Sequence, residues 1–175
     1  MILHMLDEDI LNDFFNESNG LIAELVELLE SMESDFSQIE RLKEYGNKID
    51  RIMGAAKSIA LMAEPDHGLN LISDYTSLCK LVSYKAAEMK NNPKLYDVTV
   101  ALLLDATEAL KILIPQVNIP MEELKKKISP NFIERVRWVS GQFTKQVDAP
   151  KVSNSTGTNP LGQGDIDDLM KKLGF

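Results

Sequence analysis

From residue 8 to residue 147 apolar side chains recur every three or four residues, a period that only an α-helix can bury on one side. Asp7 or Asp9 can cap a first helix that carries Ile10, Leu11, Phe14, Phe15, Leu21, Ile22, Leu25, Val26, Leu29 and Met32, with Glu residues outside. Gly20 weakens this helix without ending it. A break at Ser34 to Ser37 precedes a second helix with Ile39, Leu42, Tyr45, Ile49, Ile52, Met53, Ala56, Ile59 and Ala60. That helix stops before the turn Glu64-Pro65-Asp66-His67-Gly68. A third helix runs from about Leu69 to Lys90, where Asn91-Asn92-Pro93 breaks the pattern. A fourth covers about Lys94 to Leu113, and Pro115 and Pro120 interrupt the chain beyond it. Glu122 to Ile128 can make a short turn of helix, and Pro130 can open a fifth long helix to about Gln146. No stretch alternates with the period of two that strands need. The predicted fold is all-α, an antiparallel bundle of four long helices plus a fifth.

Composition narrows the class. The 175 residues, 44% of them hydrophobic, suit one domain over residues 1–147 followed by a tail. The single cysteine, Cys79, excludes an internal disulfide framework, fits a reducing compartment and reads as a small buried hydrophobe. No run of eighteen apolar residues occurs, and Met1-Ile-Leu-His-Met-Leu-Asp7 lacks the basic flank of a signal peptide. A cytoplasmic protein is expected. The net charge of −8 argues against nucleic acid or an anionic membrane as partner. No metal-ligand cluster, phosphate-cradling glycine loop or Ser-His-Asp set stands out, so no metal or cofactor of its own is expected. Trp138 and Phe143 read as packing residues of the fifth helix.

The periodicity fails at residues 148–162, where Ser, Thr, Asn, Gly and Pro dominate. This composition predicts a flexible linker with a root-mean-square span of roughly 20 Å. Residues 163–175 then restore a helical face: Ile166, Leu169, Met170 and Leu173 fall at i, i+3, i+4 and i+7. Asp165, Asp167 and Asp168 crowd the first turns and Lys171 and Lys172 the last, the order that suits the helix dipole. So short a helix is marginal alone in water and needs a groove to lie in. So polar a tether disfavours a groove on its own bundle and favours one on a partner.

The tail resembles the C-terminal peptide of the CheZ family of chemotaxis phosphatases, which docks on the response regulator CheY. It is also similar to the regulator-binding peptide of the flagellar switch protein FliM. The shared pattern is Gln163, an aliphatic at Ile166, Asp167-Asp168-Leu169-Met170 and then Leu173-Gly174-Phe175. The resemblance implies that these residues bind a CheY-like receiver domain, which itself holds Mg2+. Asp167, Asp168 and the terminal carboxylate would pair with basic residues at the groove rim.

The bundle resembles a histidine-containing phosphotransfer domain, most closely the first domain of the CheA family. Asp9-Ile-Leu-Asn-Asp-Phe-Phe-Asn-Glu-Ser-Asn-Gly-Leu-Ile-Ala-Glu-Leu25 is similar to that family's opening helix. Ile52-Met-Gly-Ala-Ala-Lys-Ser-Ile-Ala-Leu61 is similar to its phosphorylation helix, but Lys57 stands at the phosphoacceptor position. An ammonium cannot replace the nucleophilic imidazole at neutral pH. The two histidines, His4 near the N-terminus and His67 in a turn, read as no substitute. A bundle that binds receivers without accepting phosphate is the expectation, and a homodimer is compatible with it.

Regulator phosphatases need a side-chain amide to orient water and an acidic neighbour. The CheZ family places Asp-Leu-Thr-Gly-Gln on a helix. Trp138-Val-Ser-Gly-Gln142 is similar at its last three positions, with Gln142 matching the water-orienting amide and Glu134 one turn before the missing acid. Other phosphatases of the pathway use Glu-x-x-Asn, which Glu44-Tyr-Gly-Asn47 and Glu88-Met-Lys-Asn91 fit. The expected function is therefore binding of a CheY-like regulator with promotion of its dephosphorylation. The alternative is a non-catalytic adaptor that sequesters or localises the regulator.

Overall fold

A computed structural model describes residues 6–146 and 163–175. The linker expected at residues 148–162 lies outside the described residues. Among them the chain forms helices and no strand. Helix α1 spans Glu8–Met32, α2 Leu42–Ala60, α3 Gly68–Ala87, α4 Pro93–Leu113, α5 Met121–Lys125, α6 Pro130–Gln146 and α7 Gln163–Lys172. Helices α1 to α4 close a ring in which α1 packs on α2 and α4, and α3 on the same two. The α2–α3 contact is the most extensive, α6 lies against α4, and α5 against α3.

Local chemistry accounts for the boundaries. The Asp7 carboxylate accepts from the Asp9 N–H at 2.8 Å and starts α1, which runs through Gly20 as its periodicity predicts. Ser34 adopts a φ of 58° after α1, and the Asp35 carboxylate accepts from the Ser37 N–H. A 3-10 helix, Phe36–Arg41, comes next, so Ile39 belongs to this tight turn and not to the second helix. The third helix ends at Ala87, three residues before the predicted Lys90. There the N–H groups of Glu88 and Met89 bond three residues back and Met89 folds into the core. Asn91 turns at a φ of 56°, Asn92 caps the Leu95 N–H, and Pro93 takes the first position of α4.

Three tyrosines tie the ring together from inside. Thr107 donates to the Leu103 carbonyl, so the Tyr45 hydroxyl is the donor in its 2.8 Å bond to Thr107 Oγ1, joining α2 to α4. The Tyr75 hydroxyl donates to the Ala106 carbonyl at 2.8 Å. That of Tyr96 donates to the Met32 carbonyl at 2.7 Å, which also accepts from the Asp35 N–H at 3.2 Å where α1 ends. Burial pushes the Tyr96 phenol up to about 12 and raises those of Tyr45 and Tyr75 well above the ordinary value. All three stay neutral donors at physiological pH. Ile10, assigned to the buried face by periodicity, is 36% exposed, because α1 meets α2 and α4 with a narrower stripe.

Candidate functional site

Helix α7 lies on its own bundle, against α3 and α6. Ile166, Met170 and Leu173 are at most 4% exposed, and Leu169 and Phe175 pack partly against the same core. The polar tether therefore does not keep the tail off its own domain. Burial of one apolar face at high local concentration suffices, whatever the composition of the connection. Asp165, Asp167 and Asp168 remain on the exposed side, and the Gln163 side chain lies outside the described residues.

The Leu-Gly-Phe sequence has a direct structural reading. Gly174 sits at a φ of 89°, its N–H bonds to the Lys171 carbonyl, and the Phe175 N–H bonds to the Met170 carbonyl, each at 3.0 Å. These are the two bonds of a Schellman motif, which needs a left-handed residue where Gly174 stands. The motif turns Phe175 back toward the apolar side of α7, where it meets the core.

Around α7 the bundle offers a shallow groove of about 740 Å³. Met53, Lys57, Ser77, Lys80 and Leu81 face Asp165, Asp168, Leu169, Lys171 and Lys172 across it. Lys57 is exposed on α2 and stands at this rim. Nearby on α3, half-buried Asp74 feels the charges of three lysines, Lys172 from α7, Lys125 from α5 and Lys57 from α2. Burial raises its carboxyl above the ordinary value, and the three ammonium groups oppose that rise without cancelling it. A carboxyl with a raised folded value binds its proton more tightly folded than unfolded. It therefore favours folding at acid pH and disfavours it once ionised. Asp74→Asn is expected to leave the melting temperature unchanged below the carboxyl range. The variant should then gain on the parent as pH rises through the raised value. Paired thermal scans from pH 3 to pH 8 check this.

The catalytic candidates do not converge. Glu134 and Gln142 lie on α6 two turns apart, about 12 Å along the axis, so their side chains do not share one water. Trp138 stands between them on the same face and is 52% exposed, so only Phe143, at 4%, is the packing residue predicted for both. Glu44 and Asn47 are exposed one turn apart on α2. Each already has a partner: Arg41 pairs with Glu44 at 3.5 Å, and the Tyr84 hydroxyl donates to Asn47 Oδ1 at 2.6 Å. Glu88 and Asn91 fall at the end of α3 and in the turn after it, off any helical face.

His67 is not a solvated loop residue. Its Nδ1 accepts from the Leu69 N–H at 3.1 Å as the cap of α3, and Nε2 faces Asn118 Oδ1 at 3.3 Å. A neutral ring protonated on Nε2 satisfies both contacts. His4 lies outside the described residues. Cys79 is buried and its thiol is pushed up to about 12, which makes it inert as a nucleophile. Among the described residues no group of His, Cys, Asp and Glu could hold a metal ion, and no helix is long and apolar enough to cross a membrane.

Asp74 and Lys125, which meet the end of the tail, carry no signal in the sequence. Each looks like an ordinary solvated charge, and only the folding of α3, α5 and α7 brings them together. No protein-family model, curated protein or solved structure matches the chain.

Proposed function

We propose that this protein binds a CheY-like response regulator through residues 163–175. The observation that carries the reading is the form of the tail: one amphipathic helix with Ile166, Met170 and Leu173 along a single face, closed by a Schellman turn that adds Phe175 to it. A receiver groove with a basic rim complements the exposed Asp167 and Asp168. The bundle, with Lys57 where a phosphotransfer domain carries histidine, supplies a receiver-facing surface and no phosphoacceptor. The partner receiver contributes the Mg2+ at its own acidic site.

Dephosphorylation of the regulator is the second reading. It is favoured by Gln142, a half-buried amide on α6 for which the described residues show no hydrogen-bond partner. It is weakened by the distance to Glu134 and by the partners already held by Glu44 and Asn47. An adaptor that sequesters or localises the regulator therefore fits the geometry better than a phosphatase. A fluorescent 163–175 peptide titrated with phosphorylated and unphosphorylated receiver domains tests binding. No saturation with either form up to about a millimolar would sink it. Phosphate release from a small-molecule-phosphorylated receiver, with catalytic amounts of this protein, tests hydrolysis. Under the adaptor reading the rate is unchanged, whereas multiple turnovers lost in Gln142→Ala would establish the phosphatase.

A further inference from the structure

The face of α7 that a partner would need is already occupied. Ile166 is fully buried, Met170 and Leu173 nearly so, and all three are held by α3 and α6 of the same chain. The contact extends beyond apolar burial. Lys172 lies within electrostatic reach of Asp74, and Gly174 turns close to the Lys125 side chain. Lys125 in turn pairs with Glu122 at 2.9 Å. Helix, turn and charge thus share one seat on the bundle, and the tail cannot present the same residues to two grooves at once.

We infer that α7 is a self-occluding latch: the bundle and the receiver domain compete for one apolar face, and the tail must leave its own groove before it can bind. The competition rests on the regulator binding proposed above, whereas the docking in cis does not. For such a device the apparent affinity is the intrinsic one multiplied by the fraction of chains with the tail undocked. Undocking also removes the α7 side of the groove that Met53, Lys57 and Leu81 line, so tail and groove become accessible together. Anything that weakens the seat without touching the tail should therefore strengthen partner binding.

Hydrogen exchange on the full chain reads the docking directly. A free helix of this length is marginal, so the amides of residues 168–173 should exchange at least tenfold more slowly in the chain than in the isolated 163–175 peptide. The isolated peptide should also bind a CheY-like receiver domain at least tenfold more tightly than the full chain does. Lys57→Glu, an exposed change at the rim facing Asp165 and Asp168, should lower the protection and narrow that gap. Met53→Glu, at a half-buried position on the α2 side of the same groove, should act in the same direction, and circular dichroism checks that each variant remains helical. Equal exchange in chain and peptide would overturn the latch. Equal affinities of chain and peptide would overturn it while leaving the regulator reading intact. A peptide that binds no receiver would overturn the competition together with the regulator reading, even with α7 protected.

Discussion

Gly68→Ala is expected to lower the stability of the bundle by about 2–3 kcal/mol, the typical cost of forcing extra volume against atoms that cannot move aside. A Cβ at this position would lie 2.5 Å from the Val117 carbonyl oxygen and 2.9 Å from that of Ile119. Both are backbone atoms of the segment that leads into α5, and that segment is pinned by the Met121 N–H on the Asp66 carbonyl at 2.7 Å. Relief requires α3 and that segment to separate, opening the core around buried Leu69, Val117 and Leu124. Gly54→Ala is the matched control. Gly54 lies inside α2 with nothing within 4 Å of an added Cβ, so the change should gain about 0.5–1 kcal/mol by helix propensity alone. Urea denaturation of the two variants beside the parent measures both. A Gly68→Ala protein as stable as the parent would mean that the two segments do not approach this closely.

Met170→Asp is expected to abolish regulator binding, by about a hundredfold or more, while the bundle unfolds nearly as before. A carboxylate cannot stay ionised and unpaired in an apolar seat without a cost of several kcal/mol. The molecule avoids that cost by releasing α7, so the loss of global stability is bounded by the free energy of docking and should stay below about 1–2 kcal/mol. The tail amides should then exchange as in a free peptide, and titration with a receiver domain should show no saturation at concentrations that saturate the parent. Leu169→Ala, at a position only partly covered by the bundle, should separate the two contacts. It is expected to weaken partner binding by about 1–3 kcal/mol with a smaller effect on docking in cis. Equal binding of Met170→Asp and parent would remove this face from any partner interface.

The helices were legible because their signals are local. Asp7, Asn92, Pro93 and Pro130 stand where caps and first turns require them, and the apolar period between them leaves no other regular structure. The boundaries that shifted did so for tertiary reasons. Met89 prolongs the buried stripe past the end of α3, but the Asn91 turn decides where the helix stops. Tyr75 and Tyr96 gave no sign of being central, since a tyrosine suits a surface as well as a core until a carbonyl is placed before its hydroxyl. The candidate site divided in the same way. Leu173-Gly174-Phe175 could be recognised as a motif, and its Schellman geometry stems from Gly174 alone. The separation of Glu134 from Gln142 stems from their places on one helix, whereas the engagement of Asn47 by Tyr84 required α3 to pack on α2.

The sequence by itself determined that this chain is helical, where its helices start and stop to within a few residues, and that its last thirteen residues hold an amphipathic helix. Those are consequences of hydrophobic period, capping and backbone freedom, all of which act within a few residues of the chain. Only the tertiary structure decided where that last helix lies. Its apolar period does not by itself name the surface that covers it. The seat that holds it is assembled from α3 and α6 and rimmed by Asp74, Lys125 and Lys57, residues that become neighbours only after the chain has folded.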